Sequence, residues 1–280
     1  MNGDGLLPRW DPRAARVVER DVQRRGPGGS IDDKDQIVVE EPLEIRIGGE
    51  SLVVTMRTPG DDLDLAAGFF YSEGIIASMD DVDGIGHAND VGSNGGNVVV
   101  VTPRAGRDLS IAHARRVIRA SAACGLCGVE NIAAVRRRTS IVVDDLTVPL
   151  AVVSALPAAI RAAQPVFNVT GALHAVGLFR ADGALLVVKE DVGRHNAVDK
   201  VIGHCLRAGA RSLAGTVMMF SGRAGFEIVQ KAAIARVPVV CAVSAPSSLA
   251  VDLAREVGVT LVGFVRGNSV NVYSHPERII

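Results

Sequence analysis

The chain has 280 residues, enough for one large domain or two of ordinary size. Apolar residues make up 48% and aromatic ones only 4%, so a sizeable core must be built from Ala, Val, Leu and Ile, while a formal net charge of −1 leaves no global basic field to draw nucleic acid. No apolar run reaches the roughly 18 residues that span a bilayer, and the Arg-bearing N-terminus lacks the apolar stretch of a secretory signal, so the cytoplasm is the expected compartment.

Residues 1–35 are rich in Arg, Asp, Gly and Pro without periodic apolar positions and read as a disordered tail. A first portion, 36–150, is expected to be β-rich α+β. Strands are predicted around residues 37–39, 43–47 and 51–57, the last two joined by the Gly48-Gly49 turn. The apolar spacing of Leu63, Leu65, Ala66, Phe69 and Phe70 predicts a helix over 61–76, capped by Asp61 or Asp62. A strand over 97–102 and a helix over 111–123 lead to Cys124-Gly-Leu-Cys127. The second portion, 151–280, opens with a helix over 151–163. A hairpin (173–179 and 184–188) and a helix (197–207) follow, then strand 216–220, helix 226–235, strand 237–243, helix 248–257 and strand 260–265. That alternation predicts a layered α/β sheet with parallel pairing, its central strands covered on both faces.

The cysteine pair is the first candidate site, and its spacing leaves three chemistries open. Structural zinc needs four ligands, usually as two close pairs, and Cys205 and Cys241 stand apart. A redox dithiol would place the first Cys at a helix start, where the dipole lowers its pKa. A nucleophilic sulfur acceptor needs an accessible thiolate, which the flanking Gly125 and Gly128 suit; Arg136, Arg137 and Arg138 would favour a thiolate if folded back, although such a run more often forms a solvated face.

Three strand-to-helix turns form the second candidate. Lys189 to Lys200 gathers Arg194, His195, Asn196 and Lys200; Ser221-Gly222-Arg223 and residues 243–248 follow the next two strands. At the ends of parallel strands such turns converge on one sheet edge, where α/β folds place ligands. None is a Walker loop or a dinucleotide fingerprint, yet together they suggest a phosphate-bearing ligand. Lys231 is either a further anion contact or a solvated cation, and Cys205, Cys241 and His204 carry no assigned role.

Several segments together resemble one family. They are residues 41–45 (Glu-Pro-Leu-Glu-Ile), Met56-Arg-Thr-Pro-Gly60, 64–75, Ala123-Cys-Gly-Leu-Cys-Gly128, 190–200 (Glu-Asp-Val-Gly-Arg-His-Asn-Ala-Val-Asp-Lys), Phe220-Ser-Gly-Arg223 and 244–251. In this order the chain is similar to the FdhD formate dehydrogenase accessory proteins from about Ile37 onward. The resemblance implies a sulfur carrier and sulfurtransferase that accepts a persulfide from an IscS-type cysteine desulfurase. The acceptor would be molybdenum bis(molybdopterin guanine dinucleotide), whose sulfuration formate dehydrogenase needs. It assigns the persulfide to Cys124 and the second thiol to Cys127. It maps guanine-nucleotide binding to Phe264, Val265, Arg266, Gly267, Asn268 and Ser269, beside Arg194, His195, Ser221, Gly222 and Arg223. It also implies a cytidine deaminase-like fold and a homodimer. No proline precedes the CxxC, unlike the deaminases' zinc motif, so no metal is expected; Ala122-Ala123 stands where the family has a serine pair.

Overall fold

The computed structural model describes residues 16–88, 96–107, 109, 114–115, 139, 141–267 and 269–280. Both candidate cysteines, the helix expected over 111–123 apart from 114–115, the arginines 136–138 and Asn268 lie outside these residues.

Strands β1 (Val17–Gly26) and β2 (Gly29–Val38) form a two-stranded antiparallel hairpin turning at Pro27-Gly28. This corrects the expected tail over residues 16–35. The strands lack apolar alternation; an unbroken antiparallel backbone ladder pairs them, with exposed cross-strand charge pairs beside it, Arg24 to Asp33 at 2.7 Å and Lys34 to Glu19 at 2.6 Å. The base of the hairpin is tied down where Arg16 meets Asp61 at 2.8 Å.

A four-stranded sheet follows, in the order β4-β3-β6-β5: β3 (Glu41–Ile47), β4 (Glu50–Arg57), β5 (Val82–His87) and β6 (Val98–Pro103). Strand β3 alternates, burying Leu43, Ile45 and Ile47 against Leu65, Ala66 and Phe70 of helix α1 (Asp62–Ser72). Helix α1 stops before Gly74, whose φ of 69° is the left-handed conformation that ends helices.

The second sheet has six strands in the order β12-β11-β10-β9-β7-β8. Strands β9 (Thr216–Phe220), β10 (Val239–Ala242) and β11 (Thr260–Arg266) run parallel; β7 (His174–Arg180), β8 (Leu185–Asp191) and β12 (Ser269–Ser274) are antiparallel additions. The residues Val217, Met218, Met219 and Phe220 are all fully buried, as a central strand covered on both faces requires. Val217 and Met219 face helix α2 (Leu150–Ala162). Met218 and Phe220 face α4 (Arg194–Arg207), α5 (Phe226–Ile234) and α6 (Ser248–Val257). A short helix not expected from the sequence, α3 (Pro165–Thr170), follows α2 and has proline at its first position.

The two sheets meet through α1 and α4. Gly68 and Gly203 allow the two backbones to touch: a Cβ on Gly68 would lie 1.9 Å from the Asp199 carbonyl oxygen, and one on Gly203 would lie 1.8 Å from that of Asp64. Gly203→Ala therefore forces the helices apart. A loss of about 3 kcal/mol or more is expected for such overpacking, read as a lower denaturant midpoint of unfolding.

Candidate functional site

The strand register brings the predicted turns to one edge. Val239↔Val217 and Ala242↔Phe220 place the C-terminal ends of β9 and β10 side by side, and β11 continues the row. The antiparallel β7 begins there, because Val176 pairs with Phe220, and β8 ends there, because Asp191 pairs with His174. The loops after β9 and β10 are bridged at Ala224↔Pro246, and the Phe264 amide donates to the Ser244 carbonyl at 3.2 Å. Arg194, His195, Ser221, Gly222, Arg223, Phe264 and Arg266 therefore share one edge.

Much of the polar cluster at 189–200 is structural. Asp191 is fully buried, 2.7 Å from the Lys200 ammonium, and accepts from the backbone amides of Thr58 and Gly193 and from the Asn196 side chain. Lys200 also donates to the Thr58 carbonyl at 2.9 Å. Glu190 accepts from the first amides of α3, at Val166 and Phe167. Lys189 pairs with Asp61 and Asp64. Lys200 and Asn196, expected among the groups that meet a phosphate-bearing ligand, are thus corrected: Lys200 faces Asp191, and Asn196 donates to the Met56 carbonyl and Asp191. The motif at Met56–Gly60 is explained by the same bonds, since it receives that cluster. Lys231 is corrected likewise: it is buried between Asp199 at 2.8 Å and Glu73 at 3.6 Å. Its Asp199 partner also accepts from the Ser72 hydroxyl. Burial drives the Asp199 pKa above the ordinary carboxylate value against the pull of Lys231.

Arg194 and His195 open helix α4, whose first turn has no side-chain cap, so its amides add to their charge. His195 Nε2 has no hydrogen-bond partner and lies 3.9 Å from Glu227 Oε2, within ion-pair reach but beyond hydrogen bonding. Burial disfavours the Glu227 carboxylate, but the neighbouring His195 and Arg194 hold its pKa below the usual value. Ser221 Oγ accepts from the Ala175 amide at 2.8 Å, so it positions β7 against β9. Arg223 is exposed beside it.

The segment 264–269 divides by side-chain direction. Phe264 is 38% exposed and holds φ at 51°, a left-handed conformation costly for an aromatic residue. It marks an irregularity in the β11–β12 pairing and offers its ring to solvent, with the Arg266 guanidinium carbon 5.9 Å from the ring centre. Arg266 Nε donates to the Val243 carbonyl at 3.2 Å. Val265 is corrected as a contact residue: it is buried in the core facing α2. Gly267 takes φ 56° in the turn, and Ser269 is exposed.

Three residues absent from the sequence reading border this edge. His174 stacks on Phe220 with ring centres 6.1 Å apart; Arg161 and Gln164 line a cleft beside it. No motif marks them, because only the sheet register brings residues 161–174 next to 221 and 243. The other cysteines stay inert: Cys241 is fully buried and its thiol is pushed up to about 12. Among the described residues no group of His, Cys, Asp and Glu is arranged to hold a metal. The one H-x-E, His275-Pro-Glu277, is a C-terminal turn whose ring nitrogen faces its own glutamate at 3.2 Å. No helix among them is long and apolar enough to cross a membrane.

His174 senses this edge. Burial lowers its pKa from 6.5, and the charges of Arg194, His195 and Arg223 lower it further against Asp191. A depressed imidazole stays neutral in the fold and takes up a proton on unfolding. Its contribution is therefore intact above about 6.5 and is lost as pH falls from there toward the folded-state pKa. Urea unfolding at about pH 7.5 and about pH 5.5 should show lower stability at the acid value, with a smaller difference in His174→Gln.

The sequence pattern of the FdhD/NarQ family matches residues 38–280. The chain is 49% identical over 265 residues to the sulfur carrier protein FdhD of Mycolicibacterium paratuberculosis, covering 93% of this chain and 97% of that protein. It is 51% identical over 283 residues to the protein of that name in Anaeromyxobacter dehalogenans strain 2CP-C, covering 98% and 97%. The crystal structure of a formate dehydrogenase accessory protein from Desulfotalea psychrophila superposes with a TM-score of 0.75 at 25% identity, covering 95% of this chain and all of that one. With its sequence matched from residue 38 to its end and its fold shared with an accessory protein, this chain belongs to the FdhD/NarQ family.

Proposed function

We propose that the protein is a sulfur carrier. Cys124 takes sulfur as a persulfide from a cysteine desulfurase and delivers it to molybdenum bis(molybdopterin guanine dinucleotide), the cargo, for formate dehydrogenase. The observation that carries this reading is near-full-length identity of about half to proteins named sulfur carriers, in a chain that contains the Cys124-Gly-Leu-Cys127 pair. The basic edge supports it. Arg194, Arg223 and Arg266 suit the phosphates of a dinucleotide, and the exposed Phe264 ring suits a flat base. In this reading the chain works in the cytoplasm as a homodimer, with the desulfurase and formate dehydrogenase as partners. The deaminase-like layering implied by the family serves as scaffold, without deamination.

The chemistry runs in two steps. The Cys124 thiolate attacks the outer sulfur of the donor persulfide; the new S–S bond forms as the donor's S–S bond breaks, and the donor Cys leaves as thiolate. The carried sulfur is at the sulfane level, and its release as sulfide needs two electrons. Attack of Cys127 on the Cys124 sulfur provides them: a Cys124–Cys127 disulfide forms and the outer sulfur departs as sulfide for the cargo.

Incubation with desulfurase and cysteine should add about 32 Da per sulfur to the protein by mass spectrometry, and Cys124→Ala should abolish it. Cys127→Ala should still load but release sulfide only when an external thiol is added. A Cys124→Ala protein that still restores formate dehydrogenase activity would instead show a cofactor-binding insertion chaperone without covalent transfer. Phe264→Ala should weaken GDP binding by roughly tenfold, the loss of one stacking contact.

A further inference from the structure

The parallel strands of the six-stranded sheet have a second end, away from the basic edge. Arg211, Ser212 and Ala214 precede β9, and Arg236 precedes β10, so all four lie where those strands begin. With Tyr71 of α1 and the stretch Val142-Val143 they line a pocket of ≈ 420 Å³.

No Asp or Glu is among the described residues that line it. The Arg211 side chain is 86% exposed, and its bond to Asp80 is 3.4 Å long. Arg236 is exposed and reaches the Ile141 carbonyl at 3.4 Å. Such long, solvated bonds leave most of the five donors of each guanidinium to a ligand. Asp144 does not neutralise them, because its carboxylate accepts from the amides of Leu146 and Gly215.

Arg236 is also strained. It follows the last turn of α5 with φ at 66°, the left-handed conformation, and the Val237 amide closes that turn on the Ala232 carbonyl at 2.9 Å. Glycine is the residue favoured at such a position, because a Cβ is crowded there. An arginine held there at a cost to stability points to a role for its side chain.

The rim is aliphatic as well as basic. Val142 turns its side chain into the core and ties its amide to the Val257 carbonyl at 2.7 Å, which leaves Ile141 and Val143 on either side 66% and 87% exposed. An inorganic anion gains nothing from those two side chains, whereas a protein segment bearing both acidic and aliphatic residues uses arginines and aliphatics together.

We propose that this pocket seats an acidic segment of a partner protein, its carboxylates on Arg211 and Arg236 and its aliphatic side chains against Ile141 and Val143. A partner held at this end of the sheet leaves the edge of Arg194, Arg223 and Arg266 open to cargo. The inference rests on the sulfur-carrier reading for its two probes, the cysteine desulfurase and the formate dehydrogenase.

Calorimetry of the full chain against each purified enzyme tests it. Wild-type protein should bind at least one of them, with an affinity that falls as salt rises. Arg211→Glu and Arg236→Glu should each weaken that complex roughly tenfold, since a like charge then faces the acidic segment. Arg236→Gly should weaken it too, yet unfold about 2 °C higher, because glycine accepts the left-handed backbone. GDP binding should be the same in all three variants as in wild type. The enzyme whose complex weakens is the one that carries the segment. Wild-type affinity for both enzymes in all three variants overturns the inference, and so does a wild-type protein that binds neither. The sulfur-carrier reading is decided separately, by the persulfide mass adduct on Cys124.

Discussion

Helices α1 and α4 touch backbone to backbone at Gly68 and Gly203, and the rest of the architecture depends on that approach. It sandwiches the polar groups of both helices in a region that water does not reach. Asp199 lies on the contact itself and finds Lys231 from α5 and Ser72 from α1. Lys200, one residue on, reaches Asp191 and the Thr58 carbonyl. Arg57 makes a two-pronged bond to Asp62 at 3.0 Å on each arm and extends to Asn97. A buried charge left alone costs several kcal/mol, so each pair holds only while all the elements stay in register. The two sheets are locked together by the need to keep these charges satisfied.

The same bonds position the basic edge. Asp191 accepts from the amides of Thr58 and Gly193, so the turn that presents Arg194 and His195 is held from the other sheet as well as from its own. Cations near this edge therefore fall into two groups. Lys189, Lys200 and Lys231 face carboxylates and contribute to stability. Arg194, Arg223 and Arg266 keep their charge toward the strand ends, where the uncapped first turn of α4 adds partial positive charge. A chain with formal net charge −1 thereby acquires a local anion-attracting surface.

The central strands were legible because burial on both faces leaves continuous apolar runs, as in Val217–Phe220 and around Val239–Ala242. Helices α2, α4, α5 and α6 were legible from periodicity and from punctuation such as Gly258 after α6, in the left-handed conformation at φ 77°. Strand β5, with Gly84 and Gly86 inside it and only Val82 buried, escaped, and so did three further elements. The β1–β2 hairpin has no buried face, so its backbone ladder leaves no apolar alternation in the sequence. Helix α3 is only six residues long, and Glu190, 23 and 24 residues away in sequence, caps it. Strand β12 is an edge strand with mostly exposed or half-buried positions.

By itself the sequence determined the order of elements in the second portion, the three turns that face one edge, the cysteine pair and the family. These are local or ordered patterns, written in spacing and residue type. Only the tertiary structure decided which charges are free. Lys200 and Arg194 sit six residues apart in one polar cluster, yet one is sealed against Asp191 and the other opens a helix at the sheet edge. It likewise turned Val265 into core while leaving its neighbour Phe264 exposed, and it brought Gln164 and His174 beside Ser221. The physical reason is common to all of them: burial and partnership are properties of contacts between residues distant in sequence, and residue type alone does not encode which partner arrives.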